Sequence, residues 1–289
     1  MVAEAWVSPL DRLARYVRPD EFHQALNFSF LLTPWHAADL RNAITDSARA
    51  NGAVGAPSTW VLSNHDVVRH ATRLGFSYDR TSPWLEANAG EPDPELGLRR
   101  AQAATMLMLA LPGSAYLYYG EELGLPEVID LPAEARQDPA FRRTHGEVIG
   151  RDGCRVPMPW EAGKPAFGFG LDTGSGNSWL PQPPRYGELT VDRQSGQAGT
   201  TLELYRTLLS LRRARGLGAG AATLINLGDD IVALDIVSGV GQTRVVVNLG
   251  TADWPIPADA HVLVSSDPDV ADHLPIDRAV WIAGSPEIG

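Results

Sequence analysis

Cysteine is almost absent: Cys154 is the one thiol in 289 residues. An internal disulfide and a cysteine-rich metal site are therefore excluded. Cys154 stands between Gly153 and Arg155 with no base beside it, so it reads as a structural thiol and not as a nucleophile. Long apolar runs are also missing. The most apolar segment, ATMLMLALPG (104–113), ends in Pro112-Gly113 and falls short of the ~20 residues that cross a bilayer. Positive charge is in deficit, with a net charge of -11 and a pI near 5.1. Such a field repels phosphate, so neither nucleic acid nor an anionic membrane is an expected partner. The opening MVAEAWVSPL has no basic stretch and no apolar core, so it does not read as an export signal, and a cytoplasmic location is expected. Internal repeats and low-complexity tracts are lacking as well.

What remains is an ordinary globular composition, 44% hydrophobic and 20% charged, suited to one large domain or two modest ones. The first ~120 residues alternate short apolar runs with amphipathic segments, the βαβα pattern of a parallel sheet covered by helices. Candidate strands are 1–7, 26–31, 58–64 and 114–120. Between them, Ala37, Leu40, Ile44 and Ala48 fall on one helical face that stops at Gly52. A second helix, LGLRRAQAATMLMLALPG, ends at Pro112.

Residues 121–199 break both periodicities with recurrent proline, glycine and tryptophan. A segment of that length is a lid, a binding loop or a disordered linker; Trp160, Phe167, Phe169 and Trp179 argue against disorder. A helix follows, with Leu202, Tyr205, Leu208, Leu209 and Arg212 at helical spacing and Gly216 as its stop. Five short β runs separated by turn clusters then predict an antiparallel sandwich over 217–289, and the first domain over 1–216.

Two carboxylates end candidate parallel strands: Glu4 in VAEAWV and Asp66 in VLSNHD. In parallel β/α sheets that edge carries the chemistry, because the loops leaving the strand ends converge there. The plain alternatives are a solvated charge near a terminus for Glu4 and a helix N-cap for Asp66. SNHDVVRHATR packs Asn64, His65, Asp66, Arg69, His70 and Arg73 directly behind an apolar strand, a denser polar constellation than a surface turn needs. His65 could instead be a hydrogen-bonded core histidine, and Arg69 could pair with a helix-face acid.

WVLSNHDVVR resembles the seventh-strand motif of the α-amylase clan, and VAEAWV resembles the fifth-strand motif that carries its general acid. YLYYGEELGLP is similar to the eighth-strand segment. GRDGCRVPMPW, WLPQP and LELYRTLLSLRR follow in the order found in oligosaccharide α-glucosidases of the oligo-1,6-glucosidase type. The resemblance covers nearly the whole chain. It implies an α/β fold, a partial (β/α)8 TIM barrel holding strands five to eight, followed by the all-β sandwich domain. It further implies a retaining hydrolase that removes terminal α-linked glucose from oligosaccharides. Glu4 would be the acid/base. Asp66 would be the third carboxylate, bonding sugar hydroxyls, with His65 and Asn64 beside it and Arg69 lining the pocket. Phe28, Tyr119 and Arg155 would be pocket or supporting residues.

In the family the nucleophile is an aspartate on the fourth strand, in a GFRxD-type motif. Neither that motif nor the first-region DxVxNH occurs in 1–289, so the chain is expected to be a C-terminal half with no nucleophile and little activity alone. The family's calcium loop follows strand one, so no metal is expected, and no cofactor. Linkage preference is set beside the nucleophile and is not legible. A half-barrel exposes sheet edges, which predicts self-association. A glucosyl-transferring or trehalose-forming relative, and a non-catalytic carbohydrate-binding protein, stand as the alternative functions.

Overall fold

A computed structural model of the chain describes residues 1–79, 82–170 and 178–284. The backbone divides into two compact units. One holds Met1–Leu62, Gln102–Tyr116 and Thr207–Gly289; the other holds Ser63–Ala101 and Leu117–Arg206. No helix among the described residues is long and apolar enough to cross a membrane.

The first unit contains two short parallel pairs, Val2–Ala3 with Gln24–Ala25 and Thr59–Val61 with Ser114–Tyr116. Strands 59–61 and 114–116 approach closely at their N-terminal ends, where Gly113 has φ +100° and a Cβ would sit 2.1 Å from the Ser58 carbonyl oxygen. No other residue fits there. The run 26–31, expected as a strand, is instead a helical turn, Phe28–Leu31, behind the shorter strand Gln24–Ala25. Its cause is Asn27, whose side-chain oxygen accepts the Phe30 N–H at 3.1 Å, an N-cap that turns the chain out of the extended state. Phe28, Phe30 and Leu31 are all buried, so the segment is as apolar as a buried strand but takes a helical turn.

Helix Ala37–Gly52 buries Ala37, Leu40, Ile44, Ser47 and Ala50. Ser47 replaces the expected Ala48 on that face because its hydroxyl is satisfied, accepting from Asn27 Nδ2 at 2.6 Å and donating to the Ala43 carbonyl at 2.5 Å. Arg41 on the same helix donates to the carbonyls of Ile231 and Asp229, both at 2.8 Å. Helix Pro94–Ala110 has its last turns, Met106–Ala110, wholly buried. Arg212, from helix Thr201–Ala214, donates to the Leu109, Leu111 and Gly113 carbonyls. It thereby satisfies acceptors that the helix end leaves open.

The C-terminal part is a five-stranded antiparallel sheet with the spatial order 261–265, 278–283, 241–248, 231–238, 221–225. The expected β runs fall on these strands within a residue or two. A further pair, Trp254–Pro255 with His273–Leu274, was not evident in the sequence. It shares a core with one face of the sheet: Ile231, Ala233, Val246, Val280 and Ile282 pack with Ile256 and Leu274. The opposite face is buried too. Trp281 is fully enclosed, and its indole N–H donates to the Met106 carbonyl at 3.1 Å. Sheet and helix 94–110 are thus joined by a bond made inside an apolar interface, where it is hard to replace with water.

In the second unit a cluster of Leu123, Leu125, Val128, Leu131, Val156, Met158, Leu180, Tyr186 and Leu202 orders the proline-rich stretch. Of the four aromatic residues credited with that role in the sequence, Phe167 packs against this cluster, whereas Trp160, Phe169 and Trp179 are exposed. Part of the stretch, 171–177, lies outside the described residues. Tyr186 is wholly buried, with its hydroxyl donating to the Pro126 carbonyl at 3.0 Å.

Candidate active site

Strand Thr59–Val61 runs into a buried turn at Ser63 and Asn64. Asn64 Oδ1 accepts the Asp66 N–H at 2.8 Å, an Asx turn that sets the direction in which Asp66 leaves the strand end. The Asp66 side chain is one-quarter exposed, and its Oδ1 is shared by two cations: Arg151 Nη1 at 2.9 Å and Arg155 Nη2 at 2.8 Å. Arg155 Nε also donates to the His65 carbonyl at 2.8 Å, which fixes the guanidinium plane. His65 is exposed, with Nε2 3.6 Å from Asp66 Oδ1. The Trp84 indole donates to the Asp66 carbonyl at 3.0 Å and keeps its ring exposed. Asn64, His65, Asp66, Arg151 and Arg155 therefore form one charged group that presents a carboxylate to solvent.

Arg69 sits elsewhere. It is fully buried; Nη1 donates to the Tyr119 carbonyl and Nη2 to the Cys154 carbonyl, both at 2.8 Å, and the guanidinium lies 5.2 and 5.1 Å from the ring centres of Tyr118 and Tyr119. Such a side chain ties three segments together instead of lining a pocket. Its own N–H donates to Glu127 Oε2 at 3.0 Å. Burial pushes the Glu127 carboxyl up to about 7, against the lowering pull of the Arg69 amide and guanidinium. Tyr119, expected as a supporting residue, has its hydroxyl 3.2 Å from the Val156 carbonyl.

His70 is buried beside Ser63, whose Oγ lies 2.7 Å from Nδ1. Burial first, then Arg73 and Arg69, hold His70 down at about 3, so it is neutral. Glu121, 3.9 Å away, is pushed well up by burial. Burial thus works against charge on both side chains of this pair. Burial, and next the charge of Glu127, push the Cys154 thiol well up. It stays protonated, in keeping with a structural role.

Glu4 and Phe28 belong to the first unit. Glu4 is exposed and directly follows strand Val2–Ala3. Phe28 is buried and stacks on Trp6 with ring centres 4.2 Å apart at 15°; Trp6 carries the exposed face of that pair. Trp6 and Arg151 were not singled out in the sequence. The signal for Arg151 was the spacing Arg151-Asp152-Arg155, two cations four residues apart in a segment with no helical pattern. A groove of about 630 Å³ in the first unit, lined in part by Pro57, Ser58, Pro112 and Gly113, opens at the N-terminal ends of strands 59–61 and 114–116. That is the opposite edge from the one that carries chemistry in parallel β/α sheets.

The family profile for "Alpha amylase, catalytic domain" matches residues 1–219. The chain belongs to the α-amylase family. Among curated relatives, a probable α-glucosidase of Rhizobium meliloti (strain 1021) is 34% identical over 199 residues, covering 68% of this chain and 31% of that protein. The salivary α-glucosidase of Anopheles gambiae is 32% identical over 259 residues, covering 87% of this chain and 37% of that protein. Among solved structures, an α-glucosyl transfer enzyme matches 98% of this α-amylase-family chain with a TM-score of 0.74 at 25% identity, over 50% of its own length. A trehalulose synthase matches with a TM-score of 0.75 at 21% identity; that likeness speaks for the fold. The chain spans about a third of the length of these curated relatives and about half that of the solved structures.

Proposed function

We propose that this chain carries strands five to eight of a (β/α)8 catalytic barrel over 1–216 and an all-β sandwich over 217–289. We propose further that it serves a retaining α-glucosidase acting on terminal α-linked glucose of oligosaccharides. The observation that carries this reading is Asp66, an anion held by Arg151 and Arg155 at a strand's C-terminal end with part of its side chain exposed, inside a chain of the α-amylase family. In this reading Asp66 accepts hydroxyl hydrogens of the bound glucose, with His65 and Asn64 alongside. Arg69 supports the loop from beneath. Phe28 backs Trp6, whose exposed ring offers an apolar face to a sugar. Glu4 gives its proton to the glycosidic oxygen and then takes one from water.

Hydrolysis with retention needs a carboxylate nucleophile, and the GFRxD motif that carries it in the family is not among these residues. Loss of one member of such a catalytic unit costs on the order of 10⁴–10⁶ in turnover. The chain alone is therefore expected to release no measurable glucose from maltose. A protein in which it is joined to the missing motif releases glucose, and product analysis by chromatography checks both. Trehalose as product replaces hydrolysis with isomerisation, a reading favoured by the 28% identity over 237 residues to a trehalose synthase/amylase of Mycobacterium tuberculosis. Each parallel pair is two-stranded among the described residues, and self-association through such edges belongs to the same proposal. A monomer in light scattering removes that part.

A further inference from the structure

Asp138 is buried and bonded on both of its oxygens. Oδ1 accepts the Ala140 N–H at 2.8 Å and so caps the short helix Pro139–Arg143. Oδ2 accepts the Arg151 N–H at 3.0 Å and the Arg151 Nε–H at 2.5 Å. The Asp138 backbone is pinned in turn, since the N–H groups of Gln137 and Asp138 donate to Asp152 Oδ2 at 2.8 and 2.9 Å. Gly150 is left-handed with φ +83°, and a Cβ there would lie 2.9 Å from Asp138 Cβ; the approach is built into the chain. With Nε committed to Asp138, the Arg151 guanidinium plane has one orientation, and Nη1 meets Asp66 Oδ1. Arg155 meets the same oxygen. Asp66 Oδ2 has no hydrogen bond among the described residues, so the two oxygens of one carboxylate are made unequal.

We infer that Asp138 is a positioning residue for the site: acting through Arg151, it decides which oxygen of Asp66 is tied to the protein and which is presented to a sugar hydroxyl. This rests on the reading of Asp66 as a saccharide-binding carboxylate. A helix cap alone would need only Oδ1, whereas the bonds to Arg151 use Oδ2, and the two roles separate by substitution. Asp138→Thr keeps a capping oxygen but cannot reach Arg151, and Asp138→Asn keeps the shape but lacks the charge.

The test uses the chain itself, with three readouts on both variants and on Arg151→Gln: melting temperature, the ¹³C resonance of the Asp66 carboxyl, and calorimetry with maltose. The expected result is a melting temperature near that of the parent for Asp138→Thr, a displaced Asp66 resonance in all three variants, and maltose affinity lower by roughly tenfold, the scale of one charge-assisted hydrogen bond. An unmoved Asp66 resonance in the folded variants overturns the inference. If the parent chain binds no maltose, the saccharide reading fails, and the resonance alone still decides whether Asp138 positions Asp66.

Discussion

Glu4→Gln, placed in a protein that unites these residues with the family's fourth-strand aspartate, is expected to lower kcat/KM for maltose by about 10²–10⁴, the usual worth of general acid catalysis. The same variant loses far less on an aryl α-glucoside. The glucosyl oxygen of maltose leaves as an alkoxide unless it is protonated, while a nitrophenolate leaves without help, so the deficit should shrink as the leaving group's own pKa falls. The second half of the reaction reports independently, because Gln cannot deprotonate the incoming water; on the aryl substrate the glycosyl-enzyme then accumulates and a burst precedes slow turnover. Rates measured across a series of aryl leaving groups check this. Equal loss on maltose and on the most activated aryl glucoside takes Glu4 out of the acid role.

The second large effect is structural. Arg69→Ala is expected to cost about 3–5 kcal/mol, the range for removing one partner from a buried charged cluster, and so to lower the melting temperature by on the order of 10 °C. The guanidinium satisfies the Tyr119 and Cys154 carbonyls and lies over the rings of Tyr118 and Tyr119, and none of these groups has another cation to turn to in the arrangement described. Glu127 gives the opposite sign. Its carboxyl is raised by burial to about 7 in the folded protein against 4.5 for the free group, so between those values the folded state binds more protons than the unfolded one. Stability from this group is thus complete below pH 4.5 and is lost as pH rises to 7. Glu127→Gln should match the parent near pH 4.5 and melt at a higher temperature at pH 8. Melting curves at the two pH values test both substitutions, and an Arg69→Ala protein as stable as the parent contradicts the clamp.

The C-terminal sheet can be read from the sequence because its strands are short apolar runs rich in valine and isoleucine set between glycine- and aspartate-rich turns, and helix Ala37–Gly52 because its buried positions recur at three and four. Both signals are local. Residues 26–31 carried an equally apolar signal, and Asn27 overrode it through one side-chain bond to Phe30. Arg69 illustrates a different barrier: next to a site motif an arginine looks like a ligand-binding group, and only the carbonyls of Tyr119 and Cys154, 50 and 85 residues away, make it a clamp. Asp66 follows strand Thr59–Val61, the placement its sequence context predicts. Arg151 and Asp138 were not legible, since the bond that matters is between positions 138 and 151 and depends on the left-handed turn at Gly150.

The claim on which the functional account turns is that Glu4 and Asp66 assist a reaction whose attacking group lies in other polypeptide. Trapping with a fluorinated glucosyl fluoride, which arrests a retaining enzyme as its covalent glycosyl ester, followed by peptide mass spectrometry, addresses it directly. For the joined protein the account predicts a single labelled aspartate outside these 289 residues, and for the chain alone no label. A glucosyl ester on Asp66 or Glu4 would contradict it.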